Sequence, residues 1–94
     1  MIAYAPNSGY VRIHYFAESG SGSTAQVTID LFDFGMNRVR TLVRDASRPG
    51  NSEYDELWDG RNDEGKIVAN GVYFYRIALA GVNQPLYGKI LVLQ

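Results

Sequence analysis

A chain of 94 residues with a formal net charge of -1 has length for one hydrophobic core, burying about 65 % of its unfolded surface, and is too short for two. Nine basic and ten acidic residues without a block of one sign exclude the electrostatic footprint of a nucleic-acid or anionic-membrane binder, and the lack of Cys excludes disulfides and thiolate metal sites. Seven Tyr, four Phe and one Trp argue against disorder and for aromatic β packing.

Residues 1–9 read as an N-terminal linker or strand extension before a single domain at 10–94. They lack the basic and apolar regions of a signal peptide, and no apolar run reaches the ~18 residues of a membrane-spanning helix, so membrane insertion is not expected and any export signal lies elsewhere in the parent protein. The first strand is expected over Tyr10 to Ala17, with Val11, Ile13 and Tyr15 opposite Arg12, His14 and Phe16, followed by a flexible polar loop, Glu18 to Ser23. Ala25 to Asp33 follows, with Val27, Ile29 and Leu31 inward and Thr28 and Asp30 outward. The turn Asp33-Phe34-Gly35-Met36-Asn37 leads into Arg38 to Arg44, where Val39 and Leu42-Val43 supply apolar contacts.

Asp45 to Ser52, containing Pro49-Gly50, reads as a loop that carries the chain from one sheet to the other. Tyr54 to Trp58 is a short strand, and the turn Asp59 to Gly65 joins it to a very short one, Lys66 to Val68. Ala69-Asn70-Gly71 turns into the strongest strand, Val72 to Ala80, whose Tyr73, Tyr75, Ile77 and Leu79 share a face. The last strand, Leu86 to Leu93, directs Gly88, Ile90 and Val92 inward, and an end on a strand is expected of a natural terminus. Period-two patterning with frequent turn residues and no capped helical spacing gives an all-β fold, an immunoglobulin-like or fibronectin III-like antiparallel sandwich of about seven strands.

Within Asn70-Gly71-Val72-Tyr73-Phe74-Tyr75 the spacing is that of a tyrosine corner, with Tyr73 as the tying residue; Tyr75 stands where antibody-type domains carry Cys. The longer pattern, Asp33-Phe34-Gly35, Val39 to Val43, Trp58-Asp59-Gly60 through Gly65, Val68 to Ile77 and Gly88-Lys89-Ile90, resembles the immunoglobulin-like domain named after the flagellar hook-capping protein. That domain recurs at the C-termini of secreted bacterial proteins, where it is similar to the sorting domains read by the type IX secretion system. The resemblance covers about Tyr10 to Gln94 and implies structural roles for Trp58, Gly60, Gly65, Gly71, Tyr73 and Tyr75. Its tail, Leu91-Val92-Leu93-Gln94, lacks the basic finish often seen in sorting domains.

Catalytic candidates are few. His14 is the only His; as a catalytic base it would need an activated nucleophile and an orienting acid, and with no Cys and no supporting Ser motif it reads as a surface histidine and the domain as no enzyme. Asp33-Phe34-Gly35 is a hairpin turn rather than a kinase motif, and Gly20-Ser21-Gly22 cannot cradle phosphate without a following helix and Lys. In the Asp59 to Gly65 loop, Asp59, Asn62, Asp63 and Glu64 offer hard oxygens, but Arg61 interrupts the calcium-loop spacing and no bidentate Glu follows, so a self-bonded turn is expected and no metal or cofactor. Tyr10, Phe16, Phe32, Phe34, Tyr54, Phe74 and Tyr87 are candidates for outward positions. Several on one sheet would make a platform for sugar rings or a partner protein; a face covered by a neighbouring domain of the parent would look the same, and is favoured.

The expected function is that of a non-catalytic C-terminal module of a secreted or surface-attached bacterial protein, serving sorting, attachment or spacing. Its expected partners are the upstream domain of the parent and secretion or cell-surface machinery. A structural assembly domain of a hook-capping protein is the alternative, and a carbohydrate-binding module the third.

Overall fold

The computed structural model describes residues 2–5, 10–19 and 24–93. Among them the chain forms seven strands and no helix: β1 (Ile2–Ala5), β2 (Val11–Ala17), β3 (Thr24–Phe32), β4 (Arg38–Pro49), β5 (Ser52–Trp58), β6 (Gly71–Leu79) and β7 (Leu86–Val92). A five-stranded sheet in the order β1-β7-β6-β3-β4 lies against the pair β2-β5. Every neighbouring pair is antiparallel except β1 and β7, which run parallel with Ile2 opposite Lys89. The result is an all-β, immunoglobulin-like sandwich.

Alternation of side chains across each strand sets the two faces. Val11, Ile13, Tyr15 and Ala17 of β2 face Ala25, Val27, Ile29 and Leu31 of β3, Tyr73, Tyr75, Ile77 and Leu79 of β6, and Ile90 and Val92 of β7. Each fully buried Val, Leu or Ile side chain in this set stabilises the fold by about 1.5–3 kcal/mol before conformational entropy is counted. Trp58 closes one end of the core at 0 % exposure. Its ring meets Tyr73 edge-on at 5.7 Å, and its Nε1 donates to the Arg61 carbonyl at 2.8 Å. The Tyr73 hydroxyl donates to the Ala69 carbonyl at 2.7 Å, which is the tyrosine corner expected from the spacing. At Gly88 the backbone passes under the Tyr75 ring so closely that a Cβ would lie 2.2 Å from it. Only Gly fits there.

Three expectations change. Lys66 to Val68 is not a strand: it makes a single bridge, Ile67 opposite Arg61, because Gly65 at φ +81° and the Asn62 side chain fold the segment into a tight loop. Asp45 to Ser52 is not a crossing loop. Asp45, at φ +46°, marks a bulge after which β4 continues, Ala46 to Pro49 pairing with Val27 to Thr24, so the passage between sheets shrinks to Gly50-Asn51. Asp30, expected to face solvent, lies on the outer face but is only 6 % exposed. The N-terminal stretch supplies β1 as a strand extension, while residues 1, 6–9 and 20–23, including most of the expected Gly-Ser loop, lie outside the described residues.

The Asp59 to Gly65 loop also covers part of the β4 edge. The Asp63 N–H donates to the Val39 carbonyl at 3.0 Å and the Thr41 N–H donates to Asp63 Oδ1 at 3.1 Å. Such occupancy blunts an edge that would otherwise recruit another strand.

Trp58→Ala is expected to destabilise the domain by about 3–5 kcal/mol, measured by urea denaturation with an unchanged m value; a loss under about 1 kcal/mol would place Trp58 outside the core. Tyr73→Phe keeps the ring and is expected to cost about 1–2 kcal/mol through the Ala69 carbonyl left without its donor. An indistinguishable midpoint would show that the corner bond contributes nothing.

Candidate functional site

The outer face of the five-stranded sheet concentrates the side chains that the core does not use. Strand register builds one row across four strands: Lys89 of β7 opposite Phe74 of β6, Phe74 opposite Phe32 of β3, and Phe32 opposite Arg38 of β4. Directly opposed residues share a face. The next row sets Tyr87, Arg76, Asp30 and Thr41 side by side, and Leu91 lies opposite Val72 on the other side.

Phe34 comes to this face from the β3–β4 turn. Asp33 holds that turn: its carbonyl accepts from the Met36 N–H at 2.9 Å and its Oδ1 from the Asn37 N–H at 2.8 Å, with Met36 at φ +65°. The turn thereby projects Phe34, 76 % exposed, over Phe74, with the rings 6.2 Å apart and near parallel. Phe34, Val72, Phe74, Lys89, Ile90 and Leu91 line a groove of about 260 Å³. Tyr87, 63 % exposed, flanks it.

Electrostatics on this face are lopsided. Asp30 is buried because it is fully engaged, accepting from Arg76 Nη2 at 3.0 Å and from Thr41 Oγ1 at 2.8 Å. The Arg76 guanidinium in turn lies 5.3 Å over the Phe32 ring. Its Nε is buried and has no hydrogen-bond partner among the described residues. No ion pair among the described residues involves Lys89 or Arg38.

Of the seven aromatic rings expected outward, four therefore meet here: Phe32, Phe34, Phe74 and Tyr87. Phe16 is exposed on the opposite sheet, and Tyr10 is exposed just before β2. Tyr54 corrects the expectation, since it faces inward, packs on Tyr15 at 5.9 Å and donates from its hydroxyl to the Pro49 carbonyl. Of the six structural candidates, Trp58, Tyr73 and Tyr75 are buried in the core, while Gly60 and Gly65 hold positive φ in the loop that joins β5 to β6 and Gly71 holds it at the first residue of β6. They serve the fold and leave the outer face to other residues.

The loop oxygens are spent on the protein itself. Asp59 Oδ1 accepts from the Arg61 N–H and from Arg40 Nη1, both at 3.1 Å; Asn62 Oδ1 accepts from the Glu64 and Lys66 N–H groups at 3.0 Å. Among the described residues no group of three or more His, Cys, Asp or Glu side chains is placed to hold a metal ion.

His14 is more than an ordinary surface residue. On the outer face of the small sheet its Nδ1 lies 2.8 Å from Asp55 Oδ1 and its Nε2 2.8 Å from Glu53 Oε1. Both nitrogens can donate only in the imidazolium, so the hydrogen bonds to Glu53 first and Asp55 second raise its pKa above the usual value. Periodicity puts His14 outward. The two carboxylates reach it only through the β2-β5 register, which the sequence does not display. The same holds for Lys89, Val72 and Leu91 at the groove and for Arg38 further along the row: alternation assigns their face, and only pairing assigns their neighbours.

No family model matches the chain, and no curated protein matches it significantly. Among the described residues no helix is long and apolar enough to cross a membrane.

Because the folded pKa of His14 lies above the unfolded value of about 6.5, the stabilising pairing is complete below that pH and is lost as pH rises through the folded pKa. NMR titration is expected to give His14 a pKa above that of a model peptide, and His14→Gln to remove the decline in thermal stability across that window. A titration midpoint at or below 6.5 would show that the two carboxylates do not hold the ring.

Proposed function

We propose that the domain is a non-catalytic accessory module of an exported bacterial protein, and that it works by attachment through the outer face of its five-stranded sheet. The carrying observation is the placement of Phe32, Phe34, Phe74 and Tyr87 on one face of a sandwich whose core is complete without them. Apolar faces of this sort mark contact with another macromolecule. The Trp58-Asp59-Gly60 and Gly71-Val72-Tyr73-Phe74-Tyr75 blocks, which carry the resemblance to hook-capping-type and sorting domains, belong to the frame that presents this face. Export and sorting are the reading that this resemblance favours.

The test fuses the intact domain to a reporter bearing a signal peptide in a bacterium with type IX secretion, beside a fusion carrying Phe34→Ser and Tyr87→Ser. The intact fusion is expected at the cell surface or in the medium, with the double variant, folded by circular dichroism, held in the periplasm. Retention of a folded intact fusion would show that sorting is wrong and leave a spacer, or an assembly domain as in hook-capping proteins, as the account. Normal release of the double variant would show that this face is not the one used.

A further inference from the structure

We infer that the groove on the outer face takes an acidic protein segment that inserts one large apolar side chain beside Phe34 and Phe74 and sets a carboxylate against Lys89; this rests on the attachment reading above and names its partner. The groove itself argues for a single side chain. Its volume of about 260 Å³ falls below the roughly 300–1,000 Å³ of small-molecule pockets, and its walls are the apolar surfaces of Phe34, Val72, Phe74 and Leu91.

Charge selects the flanks of that segment. Lys89, Arg38 and Arg76 stand on this face, and the oxygens of neighbouring Asp30 already serve Arg76 and Thr41. Asp33 turns its carboxylate into its own loop. Lys89 and Arg38, neither in an ion pair among the described residues, lie three inter-strand spacings apart along one row. At about 4.8 Å each, this is about 14 Å. An extended chain rising about 3.3 Å per residue covers it in about four residues, so carboxylates about four positions apart, with the apolar anchor between them, reach both cations.

Other partners fit less well. A sugar ring needs several hydrogen-bonding groups around its hydroxyls, and among the described residues Lys89 is the one charged or strongly polar side chain that lines the groove. A lipid surface is met by protruding apolar side chains, whereas this site is concave.

The probe is a synthetic peptide with two glutamates four positions apart around one phenylalanine, titrated into the isotope-labelled domain and followed by amide shifts in NMR spectra. A basic counterpart, an acidic peptide with glycine for the phenylalanine, an oligogalacturonate and phosphatidylserine vesicles are titrated in parallel. The acidic anchored peptide is expected to move the amides of Val72, Phe74, Lys89 and Leu91, to weaken severalfold as salt is raised, and to lose at least about tenfold in affinity with Lys89→Glu. Phe34→Ala, at an exposed turn, is expected to weaken it without disturbing the spectrum elsewhere. The inference is overturned if that peptide leaves these amides unmoved at millimolar concentration, or if the basic or anchorless peptide moves them equally. It is also overturned if the oligosaccharide or the vesicles move them in its place. Because the titration involves no export, normal sorting of the fusion with no peptide binding overturns this partner alone, and binding by a domain that is not sorted overturns the sorting role alone.

Discussion

The indole of Trp58 ties the two sheets into one body. It ends β5 in the small sheet, meets Tyr73 of the large sheet edge-on, and spends its only donor on the Arg61 carbonyl in the connecting loop. Tyr73 then fixes the far end of the same loop through Ala69. Two aromatic residues thus hold both ends of a twelve-residue connection, 59–70, that would otherwise be free to leave the core. With both ends fixed, Asp59, Asn62 and Asp63 are placed to satisfy backbone donors, and Asp63 reaches the β4 edge. A polar loop becomes a structural part of the large sheet without a disulfide.

Carboxylates are used in three different ways. Asp30 is nearly enclosed yet doubly bonded, so its desolvation is offset by Arg76 and Thr41. Glu56, facing inward from β5, accepts from the Tyr15 hydroxyl at 2.8 Å and from Arg48 at 3.2 Å; burial above all, and then this bond, pushes the Tyr15 phenol well above its usual pKa. Glu53 and Asp55 stay in water and flank His14. Compensation of the first two kinds leaves Lys89 and Arg38 of the outer face, in no ion pair among the described residues, for something outside the domain.

Alternation of apolar residues was enough to expose the sandwich, its inward faces and the corner at Tyr73, because these depend on period two and on local turn chemistry. It failed where a local signal yielded to a tertiary one. Pro49-Gly50 reads as a loop, but Pro49 can end an edge strand where no N–H is needed, and the bulge at Asp45 lets β4 regain register with β3. Lys66 to Val68 alternates like a strand and is too short to compete with the bonds that Asn62 makes to its backbone. Asp30 reads as solvent-facing because its partners, Arg76 and Thr41, are 46 and 11 residues away. The aromatic set was visible as outward residues; its gathering into a groove with Lys89 depends on register between four strands, which no single segment encodes.

The parallel alignment of β1 with β7 has a mechanical side. Tension applied through the chain on either flank pulls the beginning of β1 and the end of β7 in opposite directions along their shared axis. Their ladder, from Ile2 opposite Lys89 to Ala5 opposite Val92, is then loaded in shear, with its bonds strained together rather than peeled one after another. A sheet held by its outer face while β1 is pulled from its beginning would carry the load on that same ladder.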